Sequence, residues 1–179
     1  MSNFPFVADE ILRSNLDQAF DHVVDLLGLS LSEQYYNKPL LVSSLRKTII
    51  IHTASIIEAL LLWKLKKYCK ENKVALGGEW KYYDVKILHK IDISHEVIAG
   101  LRKFEEKIID KLDFLRIIGY CYKYELIGSE KLKKEIDIVR ELRNKLHLGG
   151  LSSLEKEYIE KDLEHCFLVM EKVKDLVKA

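Results

Sequence analysis

An all-α fold, a bundle of about five principal helices, is what this sequence predicts, and three observations predict it. Only two prolines and eight glycines interrupt 179 residues, which suits long helices and leaves too few breakers for a many-stranded sandwich. Apolar residues make up 48%, enough for a core at this length and too many for disorder. Those residues recur in long runs at helical spacing. No repeat, low-complexity tract or linker divides the chain, so residues 1–179 read as a single helical domain.

The first helix is expected from near Val7 to Leu27, where Ile11, Leu12, Leu16, Phe20, Val23 and Leu27 form one apolar stripe and Gly28 suits the stop. A polar connection follows to Lys38, and Pro39 is well placed in the first turn of a long second helix reaching Asn72. Within it, Thr48 to Leu65 is almost continuously apolar and nearly long enough to span a bilayer. Glu58 and His52 interrupt that run, and a mid-span acid costs roughly 2.5–3.5 kcal/mol in hydrocarbon. A central helix enclosed by its neighbours is therefore preferred.

Residues 73–93 fit neither the helical nor the strand period cleanly and read as a short irregular insertion broken at Gly77-Gly78, with a short helix or strand as the alternative. From Ser94 the positions of Val97, Ile98, Leu101, Phe104, Ile108, Leu112 and Leu115 predict a third helix, continuing to Ile127 with a bend near Gly119. Gly128 ends it and Ser129 caps the next, from Ser129 to His147, with Leu132, Ile136, Val139, Leu142 and Leu146 inward. Gly149-Gly150 breaks the chain. Ser152 to Glu155 fits a capping box opening a last helix that carries Leu154, Tyr158, Leu163, Cys166, Phe167, Met170, Val173 and Leu176.

The formal net charge is +1, so any polyanion site must be a local patch. Cys69, Cys121 and Cys166 are far apart and odd in number, which disfavours a disulfide framework or a cysteine zinc site and suits a reducing cytoplasm. Each reads as a small buried hydrophobe. No leader pattern is visible at the N-terminus, which carries Asp9 and Glu10.

The sharpest cluster of chemistry is Arg140, Arg143, Asn144 and His147. On one helix, Arg143 and His147 are a turn apart and Arg140 lies a turn earlier, so all three share a face, with Asn144 at its edge. Imidazole is suited to moving protons near neutral pH, and the planar guanidinium fork to holding phosphate. Together they suit cleavage of a phosphodiester without a metal, the 2′-hydroxyl of RNA serving as nucleophile. The ordinary alternative is a solvated helix end whose basic side chains complement the dipole.

The run Leu142-Arg143-Asn144-Lys145-Leu146-His147-Leu148-Gly149-Gly150, closing the penultimate helix of a helical chain, resembles the HEPN family. That family's mark is an Arg, usually followed by a polar residue, then a His with about four to six residues between the two. Thr53-Ala54-Ser55-Ile56-Ile57-Glu58-Ala59-Leu60 looks like the family's second-helix pattern of small and acidic residues, and Phe114 to Ile127 with Gly128-Ser129 resembles the approach to its motif helix. Arg143 to His147 leaves three intervening residues, fewer than usual, whereas Arg140 to His147 leaves six, within the family's range, so the resemblance implies either Arg140 as the motif arginine with Arg143-Asn144 contributing from the next turn, or a degenerate site. The resemblance implies a homodimer with two motif helices in a cleft, and metal-independent RNase activity without cofactor in a toxin–antitoxin or phage-defence setting. Other members are non-catalytic modules binding a protein or nucleic acid, some beside an antitoxin or a nucleotidyltransferase partner. It assigns His147, Arg140, Arg143 and Asn144 to catalysis, and Glu58 and Lys145 to substrate binding. Glu58 either faces the cleft and bonds the motif arginine or is a boundary glutamate held by a neighbouring helix.

Among the remaining candidates, His52 reads as a packed core residue. Lys64, Lys66, Lys67, Lys70 and Lys73 form a basic run that either meets RNA phosphates or ends a helix in solvent. Trp80, Tyr82 and Tyr83 around Lys81 stack on bases, pin the insertion to the bundle or fill a dimer interface. His22, His89, His95 and His165 show no metal spacing.

Overall fold

Five α-helices and one antiparallel strand pair make up the described residues, 1–144 and 157–178, of this computed structural model. They are α1 (Glu10–Ser30), α2 (Pro39–Glu71), β1 (Gly78–Lys90), β2 (Glu96–Glu106), α3 (Phe114–Lys123), α4 (Glu130–Asn144) and α5 (Glu160–Lys178). The chain forms two compact units, Met1–Lys67 with Asp113–Ala179, and Tyr68–Leu112. The all-α expectation is therefore corrected to a largely helical, mixed α/β fold. The irregular insertion around 73–93 is mostly strand β1. The helix expected from Ser94 to Ile127 is strand β2 followed by the short α3.

In the helical unit the starts are set by side-chain caps. Asp9 accepts the Leu12 N–H at 3.0 Å, Asp113 accepts that of Arg116 at 2.8 Å, and Ser129 Oγ accepts that of Leu132 at 3.1 Å. Helix α1 runs through Gly28 and stops only at Ser30, because a glycine in mid-helix weakens the turn without breaking it. Helix α5 begins at Glu160, later than the capping box at Ser152–Glu155, which lies outside the described residues. Tyr158 precedes it, buried, its N–H donating to Ser43 Oγ on α2 at 3.0 Å.

Helix α2 is the centre of this unit. It is the one described helix long and apolar enough to cross a membrane, yet half of its most apolar stretch is buried. Ile49, Ile50, Ala54, Ile56, Ile57, Leu60 and Leu61 are enclosed, two per turn. Thr53, also fully buried, donates its hydroxyl to the Ile49 carbonyl at 2.8 Å and so brings no unpaired polar atom. Ile117, Ile118 and Cys121 of α3, Ile136 and Val139 of α4, and Leu163, Cys166, Val169 and Val173 of α5 complete the core. Cys121 Sγ lies 3.6 Å from the Leu61 carbonyl. All three cysteines are free and buried.

The second unit is a long two-stranded hairpin. Trp80 pairs with Phe104, Tyr82 with Arg102, Ile87 with Ile98 and Lys90 with Glu96. A side chain at Gly78 would collide with the Glu105 carbonyl and the Phe104 ring, so this strand needs glycine at its first position. Asp92 makes the turn, its Oδ1 accepting the N–H of Ser94 at 2.7 Å and of His95 at 2.9 Å. Two register shifts, between Tyr83 and Lys86 and between Ile87 and His89, add residues to β1. Asp84 takes φ +50° at the first, a conformation Asp tolerates better than most.

Those two bulges obscure the strand in the sequence. Each resets the alternation of β1, so Trp80 to Leu88 lose the period of two that marks a strand. In β2 both faces carry apolar residues, Ile98 and Phe104 on one and Val97 and Leu101 on the other. Their spacing then imitates a helical stripe.

Candidate functional site

Arg143 stands where a core aliphatic residue would be expected. Ile136 and Val139 are buried on α4, and Arg143, seven and four residues further on, falls between them in helical projection. Its stem thus lies on the apolar side of the helix, and its charged head requires a partner. Glu58 supplies it. Arg143 Nη1 donates to Glu58 Oε2 at 2.5 Å, an ion pair joining α4 to α2. Glu58 follows the enclosed Ile57 and sits at the margin of the α2 core. The pair is partly screened, with 32% of the Arg143 side chain and 23% of the Glu58 side chain exposed. The Phe114 ring, at the start of α3, has its centroid 5.9 Å from the guanidinium carbon. Three helices therefore converge on one cation.

Arg140 is held differently. Its Nε lies 3.3 Å from Asp137 Oδ1 and its Nη2 3.5 Å from Glu141 Oε1, both on its own helix, and only 17% of its side chain is exposed. Lys133 shares Asp137 at 2.9 Å. The two candidate arginines thus face separate carboxylates. Asn144 is exposed at the end of the described helix. Lys145 and His147 lie outside the described residues. Two features of this site were missed in the sequence. Asp137 stands three residues before Arg140, a spacing that signals a helical ion pair. The Phe114 ring had no local signal, since α3 brings it there by tertiary packing.

The other candidates are redistributed. Lys64 donates to the Leu176 carbonyl in the last turn of α5 at 2.5 Å, which removes it from the solvent-facing basic run. Burial, then the neighbouring Lys67 charge, lowers its pKa. His52 is only half-buried rather than packed in the core. Its ring meets that of His22 on α1 edge-on at 4.7 Å. Burial and then the His22 charge lower the His52 pKa. In the hairpin, Trp80 and Tyr82 share one face, with Arg102 stacked 4.6 Å from the Trp80 centroid and 5.8 Å from that of Tyr82. Lys81 and Tyr83 point to the other face, where both bond Glu105, Lys81 at 2.8 Å. That contact raises the Lys81 pKa and lowers that of Glu105.

Among the described residues, no three His, Cys, Asp or Glu side chains converge as a metal set. The site presents a guanidinium clamped by a carboxylate beside an aromatic ring. Comparisons with family models, curated proteins and solved structures found no match to this chain.

Proposed function

We propose that the protein is a metal-independent endoribonuclease of HEPN type, working in the cytoplasm as a homodimer in a toxin–antitoxin or phage-defence role. The observation that carries this reading is the Arg143–Glu58 pair at the last described turn of α4. A guanidinium has five donors, so a carboxylate on one nitrogen can orient the fork while other donors meet a phosphate. His147 follows four residues later in the sequence. It would take the proton from the 2′-hydroxyl or deliver one to the departing 5′-oxygen. The new O–P bond closes a 2′,3′-cyclic phosphate as the P–O5′ bond breaks. Arg143 would stabilise the charge building on phosphorus, with Arg140, Asn144 and Lys145 bordering the strand.

A second reading, a non-catalytic module that binds RNA or a protein partner, is favoured by one observation. Arg140 and Arg143 both already face carboxylates, which offset their pull on a polyanion. One assay separates the two. Purified protein in EDTA is expected to cut RNA and leave cyclic phosphate ends, and His147→Ala to slow the cut by about 10²–10⁴-fold. Identical RNA ladders from wild type and variant would remove the enzyme. Binding that is lost in Arg143→Ala, without any cleavage, would select the module.

A further inference from the structure

One face of the hairpin is apolar and built to be covered. Strand β2 alternates without interruption, so Glu96, Ile98, Gly100, Arg102 and Phe104 share a face. Their β1 neighbours on that face are Lys90, Ile87, Tyr82 and Trp80, with Val85 over Gly100, where an added Cβ would lie 3.2 Å from Val85 Cγ2. From base to tip this gives an aromatic end, an aliphatic middle and a charged end. Trp80, Tyr82, Val85, Ile87, Ile98 and Phe104 are each between 45% and 57% exposed. The opposite face is occupied at its base by the Lys81–Glu105 pair. Two strands alone are marginal in water and need a covered apolar face.

We propose that a second copy of this chain covers it, the two hairpins packing face to face and antiparallel about a two-fold axis midway between Ile98 and Gly100. Three observations select a copy of the chain. The six side chains together expose on the order of 500 Å², close to the apolar share of the ~800 Å² that each partner contributes to a stable dimer. The hairpin is charge-balanced, six Asp and Glu against six Lys and Arg from Gly78 to Lys107, so copies do not repel and a polyanion is not drawn in. The face also complements itself. Arg102 lies towards its base and Glu96 towards its tip, so antiparallel packing brings Arg102 of each copy towards Glu96 of the other. Trp, Tyr and Arg clustered in this way are the residue types that dominate interface energetics.

Sedimentation equilibrium of the full chain tests this apart from RNA cleavage, because a homodimer assembled through another surface is indifferent to Ile87→Lys. The wild type is expected to dimerise with a Kd of about 10 µM or tighter. Ile87→Lys should weaken it at least about tenfold, and Lys86→Glu on the other face should leave it unchanged, with helical circular dichroism the same in all. Arg102→Glu and Glu96→Arg should each weaken the dimer, and the two combined in one chain should restore it. A monomer at about 100 µM would overturn the proposal, as would a dimer indifferent to Ile87→Lys. So would a double reversal that fails to restore assembly, or a monomer that binds single-stranded RNA through Trp80.

Discussion

Ile57 and Leu60 on α2 and Ile87 and Leu101 in the hairpin are alike in chemistry and opposite in circumstance. The first pair is enclosed on a helix that α3, α4 and α5 each contact, whereas the second is half-exposed on a two-stranded ribbon. The same contrast holds for charge. Arg143 and Glu58 pair with 32% and 23% of their side chains exposed, and Lys81 and Glu105 pair nearer solvent, with 49% and 35% exposed. Apolar content therefore reports the capacity to be buried, and the number of elements that can surround a segment decides whether that capacity is used.

The largest expected effect breaks the contrast at its core. Leu60→Ala should cost about 2–5 kcal/mol in urea unfolding, and Leu101→Ala less than about 0.5 kcal/mol. Equal costs would show that the hairpin is as enclosed as the bundle. Next comes the ion pair. Glu58→Ala should cost about 1.5–3 kcal/mol because it leaves a partly buried guanidinium unpaired, and a double-mutant cycle with Arg143→Ala should show coupling of about 1 kcal/mol or more. Lys81→Ala in the hairpin should not move the unfolding midpoint.

A smaller contrast appears in pH. Folding lowers the His52 pKa from 6.5, so the unfolded chain binds the proton more tightly. The stability this group contributes is complete above pH 6.5 and is lost as pH falls through the lower folded value. The matching group of the hairpin is Asp92, whose pKa is pulled below 3.8 by the Ser94 N–H and then by His95. Its contribution survives until pH falls through that lower value. Melting temperatures followed from pH 8 to below 3.8 should therefore show two separate declines, and His52→Gln should remove only the upper one. The smallest contrast concerns thiols. Burial pushes the Cys166 thiol up to about 12 and raises that of Cys69 in the second unit as well. At pH 8 only about one Cys166 in ten thousand is thiolate, so a disulfide reagent should label it at the rate of global unfolding.

Much of the helical unit was legible in advance. Pro39 opens α2, Ser129 caps α4 and the stripes of α2, α4 and α5 turn inward, because helix periodicity and cap chemistry are local properties. The hairpin was not legible as such. Its bulges blurred the period of β1, and the spacing of Val97, Ile98, Leu101 and Phe104 satisfied a helix as well as a strand. The available signal was Asp92 with Ser94, a turn between two runs rich in Tyr, Val and Ile.

At the candidate site the sequence by itself determined which charged residues share a helix face, since 3.6 residues per turn places Arg140 and Arg143 together whatever surrounds them. Only the tertiary structure decided their partners. Glu58 is 85 residues from Arg143 in the chain, and they meet because the packing of α4 on α2 brings a buried-side cation to the margin of a core helix. Arg140 found its carboxylate within its own helix. Local geometry sets where a side chain points, and burial sets what it must then find.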